Sequence, residues 1–248
     1  TFTFWKNNNK LVHLYGDDLD NDGKEDDDIA NSLFIGKSLG AIYGYEQDGI
    51  VQQEDTEYIA LTGAAPGAPK YKDQDGVAGI TAADRIILGY SKENFRSSLS
   101  NIAGYKNFEL YVMVTGVFGG NNHYLKSNTA AYLTSGTGLF NANMTSKPYW
   151  TPENKSNVYP SAVFAGDGRY LALQSRGFVR IQDVSLSYTF DRKLLDVIKV
   201  NSLKAYLSVQ NMATFTSWFG GDPETGTPVR ENTYPVPSTF SVGINATF

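Results

Sequence analysis

Asp18-Leu19-Asp20-Asn21-Asp22-Gly23-Lys24-Glu25-Asp26 puts side-chain oxygens at positions 1, 3, 5 and 9 of a twelve-residue calcium loop, with the turn glycine at position 6. Position 12, where a bidentate Glu belongs, is Ile29, and Asp28 stands one residue short. Carboxylates packed this densely repel one another unless a cation or water screens them. Asp18, Asp20, Asp22 and Asp26 are therefore candidate calcium ligands, and a solvated acidic loop is the other account. Catalytic chemistry is harder to assemble. His13 and His123 fall in separate segments without His-Glu-x-x-His spacing, and no Gly-x-Ser-x-Gly elbow, phosphate loop or dinucleotide fingerprint occurs. Carboxylates are plentiful, but no spacing nominates a glycosidase pair. The absence of Cys removes thiolate nucleophiles, Cys-ligated metals and disulfides together. An enzyme is not expected.

Aromatic side chains are the other group with binding chemistry. Trp5, Trp150 and Trp218 could be sugar-stacking platforms or interfacial girdle residues. Trp5 ends an alternating segment, which suggests a girdle. Trp150 and Trp218 sit beside Tyr149 and Phe219 in long connections, where stacking on a ligand and packing on a partner are both open. Gly119-Gly120 and Gly220-Gly221 mark strand exits, for which turn geometry is a sufficient reason.

The elements that must position these residues are strands. Aromatic residues make up 13%, Gly is abundant at 24, and only 19% of residues are charged, which is a strand-and-turn profile. A net charge of -5 offers no basic surface to phosphate backbones, so nucleic acid is not an expected partner. No apolar run reaches the length of a transmembrane helix, an observation that is silent about barrels, whose strands average to near neutrality. The start, Thr1-Phe2-Thr3-Phe4-Trp5, lacks the features of a signal peptide and reads as the inside of a strand.

Period-two alternation marks six strands near 1–8, 94–103, 107–118, 177–190, 202–215 and 238–248. Phe108, Leu110, Val112 and Val114 share one face of the third, and Asn107, Glu109, Tyr111 and Thr115 the other. Leu203, Ala205, Leu207 and Val209 of the fifth oppose Lys204, Tyr206, Ser208 and Gln210, so both charged residues keep to the polar face. In the fourth, Val184, Leu186, Tyr188 and Phe190 are in phase, whereas Val179 and Ile181 are not. Either a bulge lies near Gln182, or the upper strand stands clear of the bilayer; the second is the preferred reading. Links near 104–106 and 191–201 are short, the latter with a helical turn over Leu194-Leu195-Asp196-Val197-Ile198. Residues 9–93, 119–176 and 216–237 are long connections. Alternating short and long links are the pattern of outer-membrane barrels, with the long ones outside. Thr239 to Phe248 alternates to its last residue, as a barrel's closing strand does. The fold class expected is all-β, an antiparallel transmembrane β-barrel segment with long extracellular loops.

Six segments stand out together: Tyr149-Trp150-Thr151-Pro152-Glu153-Asn154 with Tyr159-Pro160, Phe178 to Tyr188, Ser202 to Tyr206, Gln210-Asn211, Asp222-Pro223-Glu224, and Tyr234-Pro235-Val236-Pro237 leading into the last strand. In this order they resemble the SusC/RagA family of TonB-dependent outer-membrane transporters. Ser187 stands where a Gly is common. The resemblance implies about six C-terminal strands of a 22-stranded barrel, with the plug and the rest of the wall outside these residues. Six strands cannot close a barrel in lipid, so a fragment or one piece of a split protein is expected. It further implies the outer membrane of a Gram-negative bacterium, uptake of oligosaccharides or oligopeptides, and a SusD-like surface lipoprotein as partner. TonB would act through the missing plug. Phe240, Val242, Ile244 and Phe248 would be the signal read by the barrel-assembly machinery. Asp73-Gln74-Asp75-Gly76 through to Asp84 resembles the family's calcium-type loop, with Asp73, Asp75 and Asp84 at positions 1, 3 and 12 but Val77 at position 5. A turn held by Asx hydrogen bonds is the alternative there. Two rivals remain open: a secreted carbohydrate-binding β-sandwich using Trp150 or Trp218, and a small complete barrel serving as enzyme or adhesin.

Overall fold

A computed structural model describes residues 1–128, 147–164, 166–226 and 236–248. Tyr234 and Pro235, which open the last of the resembling segments, lie outside these residues. Among the described residues the strands are β1 (Phe2–Trp5), β2 (Ala41–Tyr45), β3 (Gln47–Ile50), β4 (Pro69–Tyr71), β5 (Arg85–Tyr90), β6 (Phe95–Tyr105), β7 (Phe108–Phe118), β8 (Leu125–Ser127), β9 (Leu173–Ser175), β10 (Phe178–Thr189), β11 (Ser202–Thr216) and β12 (Thr239–Thr247). Helices α1 (Thr56–Thr62) and α2 (Arg192–Ile198) and a 3-10 turn over Ala82–Asp84 complete them. One antiparallel sheet runs in the order β1-β6-β7-β10-β11-β12, with β1 and β12 as its edges. The remaining strands pair as β2 with β5, β3 with β4 and β8 with β9, all inside the long connections. These six short strands were not expected, because runs of three to six residues carry too little alternation to register.

Register turns the alternation into two chemically distinct faces. Leu110 lies opposite Leu186, Leu186 opposite Leu207, and Leu207 opposite Val242. One residue along, Glu109, Ser187, Tyr206 and Gly243 form the matching row on the other face. There Lys204 Nζ pairs with Glu109 Oε1 at 3.0 Å, and the Tyr206 ring lies where a side chain on Gly243 would sit. No charged residue falls on the apolar face of the sheet, and no second layer covers that face among the described residues: Val242 is 81% exposed and Phe240 72%. A sandwich would need that layer.

The phase slip in β10 is a bulge, not a departure of the strand's upper part. Pairing with both neighbours shifts between Ile181 and Asp183. Ile181 is thus opposite Val114 while Val184 is opposite Val112, which returns Val179 and Ile181 to the apolar face. One inserted residue, Gln182, accounts for the change of parity. On β11 the shift is absorbed by Asn211 in a left-handed conformation, φ 51°. Its Oδ1 accepts from Gln182 Nε2 at 3.0 Å, its Nδ2 donates to the Pro237 carbonyl at 3.2 Å, and its own carbonyl accepts from Ser238 Oγ at 2.7 Å. Asn211 therefore fixes both the bulge and the entry to β12.

At the short end, a Lys106-Asn107 turn joins β6 to β7, and α2 joins β10 to β11 with Leu195 and Val200 buried beneath it. At the opposite end the long connections pack over the sheet. Val117, Tyr124 and Phe178 form a buried cluster there, and Ile50, Val51, Tyr71 and Trp150 are buried among the connections themselves.

Asn211→Ala is expected to destabilise the protein by about 1–2 kcal/mol through left-handed backbone strain and lost side-chain bonds, and Asn211→Gly by less because the strain is absent. Thermal unfolding of the purified variants checks the order.

Candidate functional site

The three long connections are fastened to the sheet and to one another by polar side chains. Arg180 of β10 is only 3% exposed. Its Nη2 bonds the Asp222 carboxylate, its Nη1 reaches Glu224 Oε2 at 3.1 Å, its Nε donates to Thr214 Oγ1 at 3.0 Å, and its guanidinium lies 4.8 Å from the Phe178 ring centre. A buried cation needs such complete satisfaction, since each desolvated ion costs several kcal/mol. Gln174 Oε1 accepts from Asn128 Nδ2 at 2.6 Å and from the Phe219 amide at 3.0 Å, which joins the second connection to the third. The first and second are joined where Asn157 Oδ1 accepts the Ile50 amide at 3.0 Å and where Tyr71 donates its hydroxyl to Asp167 at 2.8 Å. Burial pushes the Tyr71 phenol far above its ordinary range, and the Asp167 carboxylate adds to the shift, so Tyr71 stays a neutral donor.

These contacts change the reading of the aromatic residues. Trp150 is 7% exposed and Trp218 5%, so neither indole is an open stacking platform. Trp150 donates Nε1 to Gln52 Oε1 at 2.9 Å and lies against Gly67, where φ is 87° and a Cβ would stand 2.5 Å from the ring. The reason is local: a bare backbone offers a flat surface for an indole, and the loops need cores of their own. Tyr149 is part-buried, with a hydroxyl lacking a partner among the described residues. Phe219 carries the Lys147 ammonium 4.0 Å above its ring. Trp5, expected in a lipid girdle, sits instead on the polar face opposite Arg96.

Both acidic triads assemble. The carboxylates of Asp18, Asp20 and Asp22 lie within 4.8 Å of one another, as do those of Asp73, Asp75 and Asp84. Asp26 is not grouped with the first; its Oδ2 accepts the Leu19 amide at 2.6 Å. Asp28 turns its carboxylate to Asn31, whose side chain and amide, with Tyr15, hold it below the usual carboxylate range. Much of the negative charge is met by backbone. Asp18 accepts from the amides of Asp22 and Gly23 at 3.0 and 3.1 Å. Buried Asp84 accepts from Thr81 at 2.6 Å, Gln74 at 2.7 Å and Asp75 at 3.4 Å. The Thr81 and Gln74 amides hold the Asp84 carboxyl below its usual range against the opposing effect of burial. Beside the first triad, burial works against ionisation of Glu25, but the Gly16 amide, His13 and the Leu14 amide outweigh it and lower its pKa. His13 Nδ1 lies 2.7 Å from Glu25 Oε2, and His123 stacks on Tyr90, so the two histidines share no site. Each triad offers three of the six to eight oxygens that Ca²⁺ takes.

Below the connections, the polar face holds a cleft of about 280 Å³ between Trp5, Arg96, Met113, Thr115, Phe178 and Glu224. Sequence patterns did not indicate it, because its walls come from four strands and a loop far apart in the chain.

A one-sided amphipathic antiparallel sheet with long connections clamped over one end is the architecture of part of a β-barrel wall. The solved RagAB peptide importer in its open-open state matches all of the chain and 26% of its own, with a TM-score of 0.68 at 20% identity. In the closed-closed state the values are 87%, 24% and 0.57, also at 20% identity. No family model matches. TonB-dependent receptor P3 of Formosa agariphila is 30% identical over a 273-residue alignment that covers all of this chain and 26% of the receptor. TonB-dependent receptor SusC of Bacteroides thetaiotaomicron is 25% identical over 219 residues, covering 86% of this chain and 20% of its own length. The chain is homologous to the SusC-type TonB-dependent receptors, which are transporters and not enzymes. It spans about a quarter of the length of the curated relatives it matches.

Arg180→Met leaves Asp222 buried without its cation and is expected to cost about 3–5 kcal/mol, much of it recovered in Arg180→Met/Asp222→Leu. Limited proteolysis within 217–226 reads the loss and the recovery. A lowered carboxyl stabilises only while ionised, so the Asp84 contribution is present above about pH 3.9, the unfolded value, and is lost as pH falls through its folded value. Hydrogen exchange at the Gln74 and Thr81 amides is expected to lose protection over that acid range and to be flat from pH 5 to 8.

Proposed function

We propose that these residues form part of the wall and the outward-facing loops of a SusC/RagA-type importer in the outer membrane of a Gram-negative bacterium. The observation that carries this reading is the uncovered, charge-free face of the sheet, which has an aromatic group at each end. At the loop end Phe4, Phe95 and Phe118 stack with centroids 5.5 and 4.6 Å apart. At the turn end Phe108, Tyr188 and Phe190 are 4.8 and 5.0 Å apart. Phe108 and Phe118 bracket β7, whose length of about 34 Å, at the usual tilt of 35–45°, gives a band about 25 Å tall. That is the height of the lipid-facing band of an outer-membrane barrel.

On this reading β1, β6, β7, β10, β11 and β12 are six strands of a 22-stranded barrel, with the plug, the remaining wall and the TonB contact supplied by other parts of the protein. The clamped connections would meet a SusD-like lipoprotein, the partner the family implies. The cargo proposed is oligopeptides, in line with the solved peptide importer the chain resembles, or the oligosaccharides that the family resemblance implies. Tyr149 and Phe219 are the residues through which loops would touch partner or cargo. Phe240, Val242, Ile244 and Phe248, all well exposed, would be read by the barrel-assembly machinery before lipid covers them. The two carboxylate triads are proposed calcium sites of the exterior loops; millimolar Ca²⁺ should then protect 18–26 and 73–84 from proteolysis.

Val242→Lys, in the middle of the apolar face, is expected to cost about 2–4 kcal/mol and to deplete folded protein from the outer-membrane fraction, whereas Ser241→Lys on the opposite face is expected to leave it near wild type. Equal depletion would remove the transmembrane reading.

A further inference from the structure

On the reading above that lipid covers the apolar face, the turn end of the sheet lies at the inner leaflet, and it carries uncompensated positive charge beside exposed apolar surface. Its side-chain carboxylates are already engaged. Asp196 pairs with Arg192 at 3.0 Å, Glu109 with Lys204 at 3.0 Å, and Asp191 accepts from Asn107 Nδ2 at 2.6 Å. Lys106, Lys193 and Lys199 form no ion pair among the described residues. Local structure does not call for them. Lys106 and Lys199 are left-handed, φ 53° and 56°, in a turn and at a helix end where Gly or Asn is the easier residue. Lys199 does complement the C-terminal dipole of α2, but Lys193 stands in the first turn, where a cation is disfavoured, and Lys106 ends no helix. The Lys106 ammonium lies 5.4 Å from the centre of the Tyr105 ring. Tyr105 is opposite Phe108 at the foot of the apolar face, so this cation stands on the outer side of the wall.

The apolar surface is supplied by α2. Leu195 and Val200 are buried and seat the helix, while Leu194, 49% exposed, and Val197, 79% exposed, share an adjacent face at i and i+3. At about 100° per residue, Lys193 lies roughly 40° round from Val197, on the side away from Leu195. The strands that α2 joins, β10 and β11, have their neighbours β7 and β12 in place, so no absent strand accounts for this exposure.

We infer that α2 and the Lys106 turn form an interfacial anchor that gathers anionic phospholipid of the inner leaflet. Leu194 and Val197 enter the boundary between headgroups and acyl chains, and Lys106, Lys193 and Lys199 meet the lipid phosphates. Charge complementarity selects an anionic headgroup, because a zwitterionic one brings its own cation to a place that already has three. A protein partner suits the helix less well: two apolar side chains on a seven-residue helix offer far less area than a stable protein interface buries. Lipid needs no such area of its own here, since the helix continues a face that hydrocarbon already covers.

The test uses the full-length protein, cleared of any other Cys, with a fluorophore on Val197→Cys, in bilayers of phosphatidylcholine mixed with phosphatidylglycerol. Either the first or the second lipid carries bromine near the top of its acyl chains. Quenching at 197 is expected with both, and brominated phosphatidylglycerol is expected to be enriched about fivefold or more over its share of the bilayer. In Lys106→Gln/Lys193→Gln/Lys199→Gln, whose folding is checked by heat-modifiable gel mobility, that enrichment is expected to vanish while quenching persists. Equal quenching by the two lipids, a result that needs no lysine variant, or enrichment unchanged in the folded triple variant would overturn the headgroup site. A label on Val242→Cys reads the wall separately. Quenching at 242 without quenching at 197 would place α2 in water or against protein and sink the anchor alone; quenching at neither would sink the anchor together with the lipid-facing reading.

Discussion

Every charged residue in the six-stranded sheet keeps to one face, and this segregation is the constraint on which the rest depends. Because side-chain direction alternates strictly, a slip of one residue in β7, β10 or β11 would carry Glu109, Arg180 or Lys204 onto the apolar face. The sheet uses two devices to hold its register. The bulge at Gln182 keeps Ile181 and Val184 on the same side, and Asn211, left-handed and bonded to three neighbours, absorbs the matching irregularity on β11. The opposite face is free of charge across six strands and, among the described residues, is covered by no second layer.

The polar face does the opposite work. It carries the ion pair of Lys204 and Glu109 near the short turns and the buried Arg180 near the long connections. Arg180 matters beyond its own strand, because Asp222 and Glu224 belong to the third connection and thereby hold that loop against the wall. Gln174 and Asn128 link this loop to the second through the backbone of Phe219, and Asn157 and Tyr71 link the second to the first. The loops thus behave as one clamped layer with its own small cores, in which Trp150 and Trp218 are packing elements.

Alternation made the six sheet strands legible in the sequence: the segment near 94–103 is Phe95–Tyr105 and that near 202–215 is Ser202–Thr216. Phase alone could not separate a bulge from a strand leaving the bilayer, since both displace Val179 and Ile181 by one residue. The short strands of the loops were invisible for want of length. The spacing of Asp18, Asp20, Asp22 and Asp26, and the resemblance that singled out Asp73, Asp75 and Asp84, pointed to carboxylates of which two sets of three lie within 4.8 Å of one another while Asp26 stands apart, and neither could show that backbone amides satisfy many of their oxygens. Indoles in long loops suggested platforms, because sequence does not reveal that Gly67 provides a flat seat for Trp150. Arg180 and Asp222 lie in two of the family-like segments, but their pairing is a fact of three dimensions.

These 248 residues hold no Cys, and in a full-length protein cleared of any other Cys, single cysteines at Val242 and Ser241 can each carry a fluorophore for reconstitution with brominated lipids. Strong quenching at position 242 with little at 241 is the expected result, since the two side chains leave opposite faces of β12. Quenching that is weak at both positions would mean that protein, not hydrocarbon, covers the apolar face.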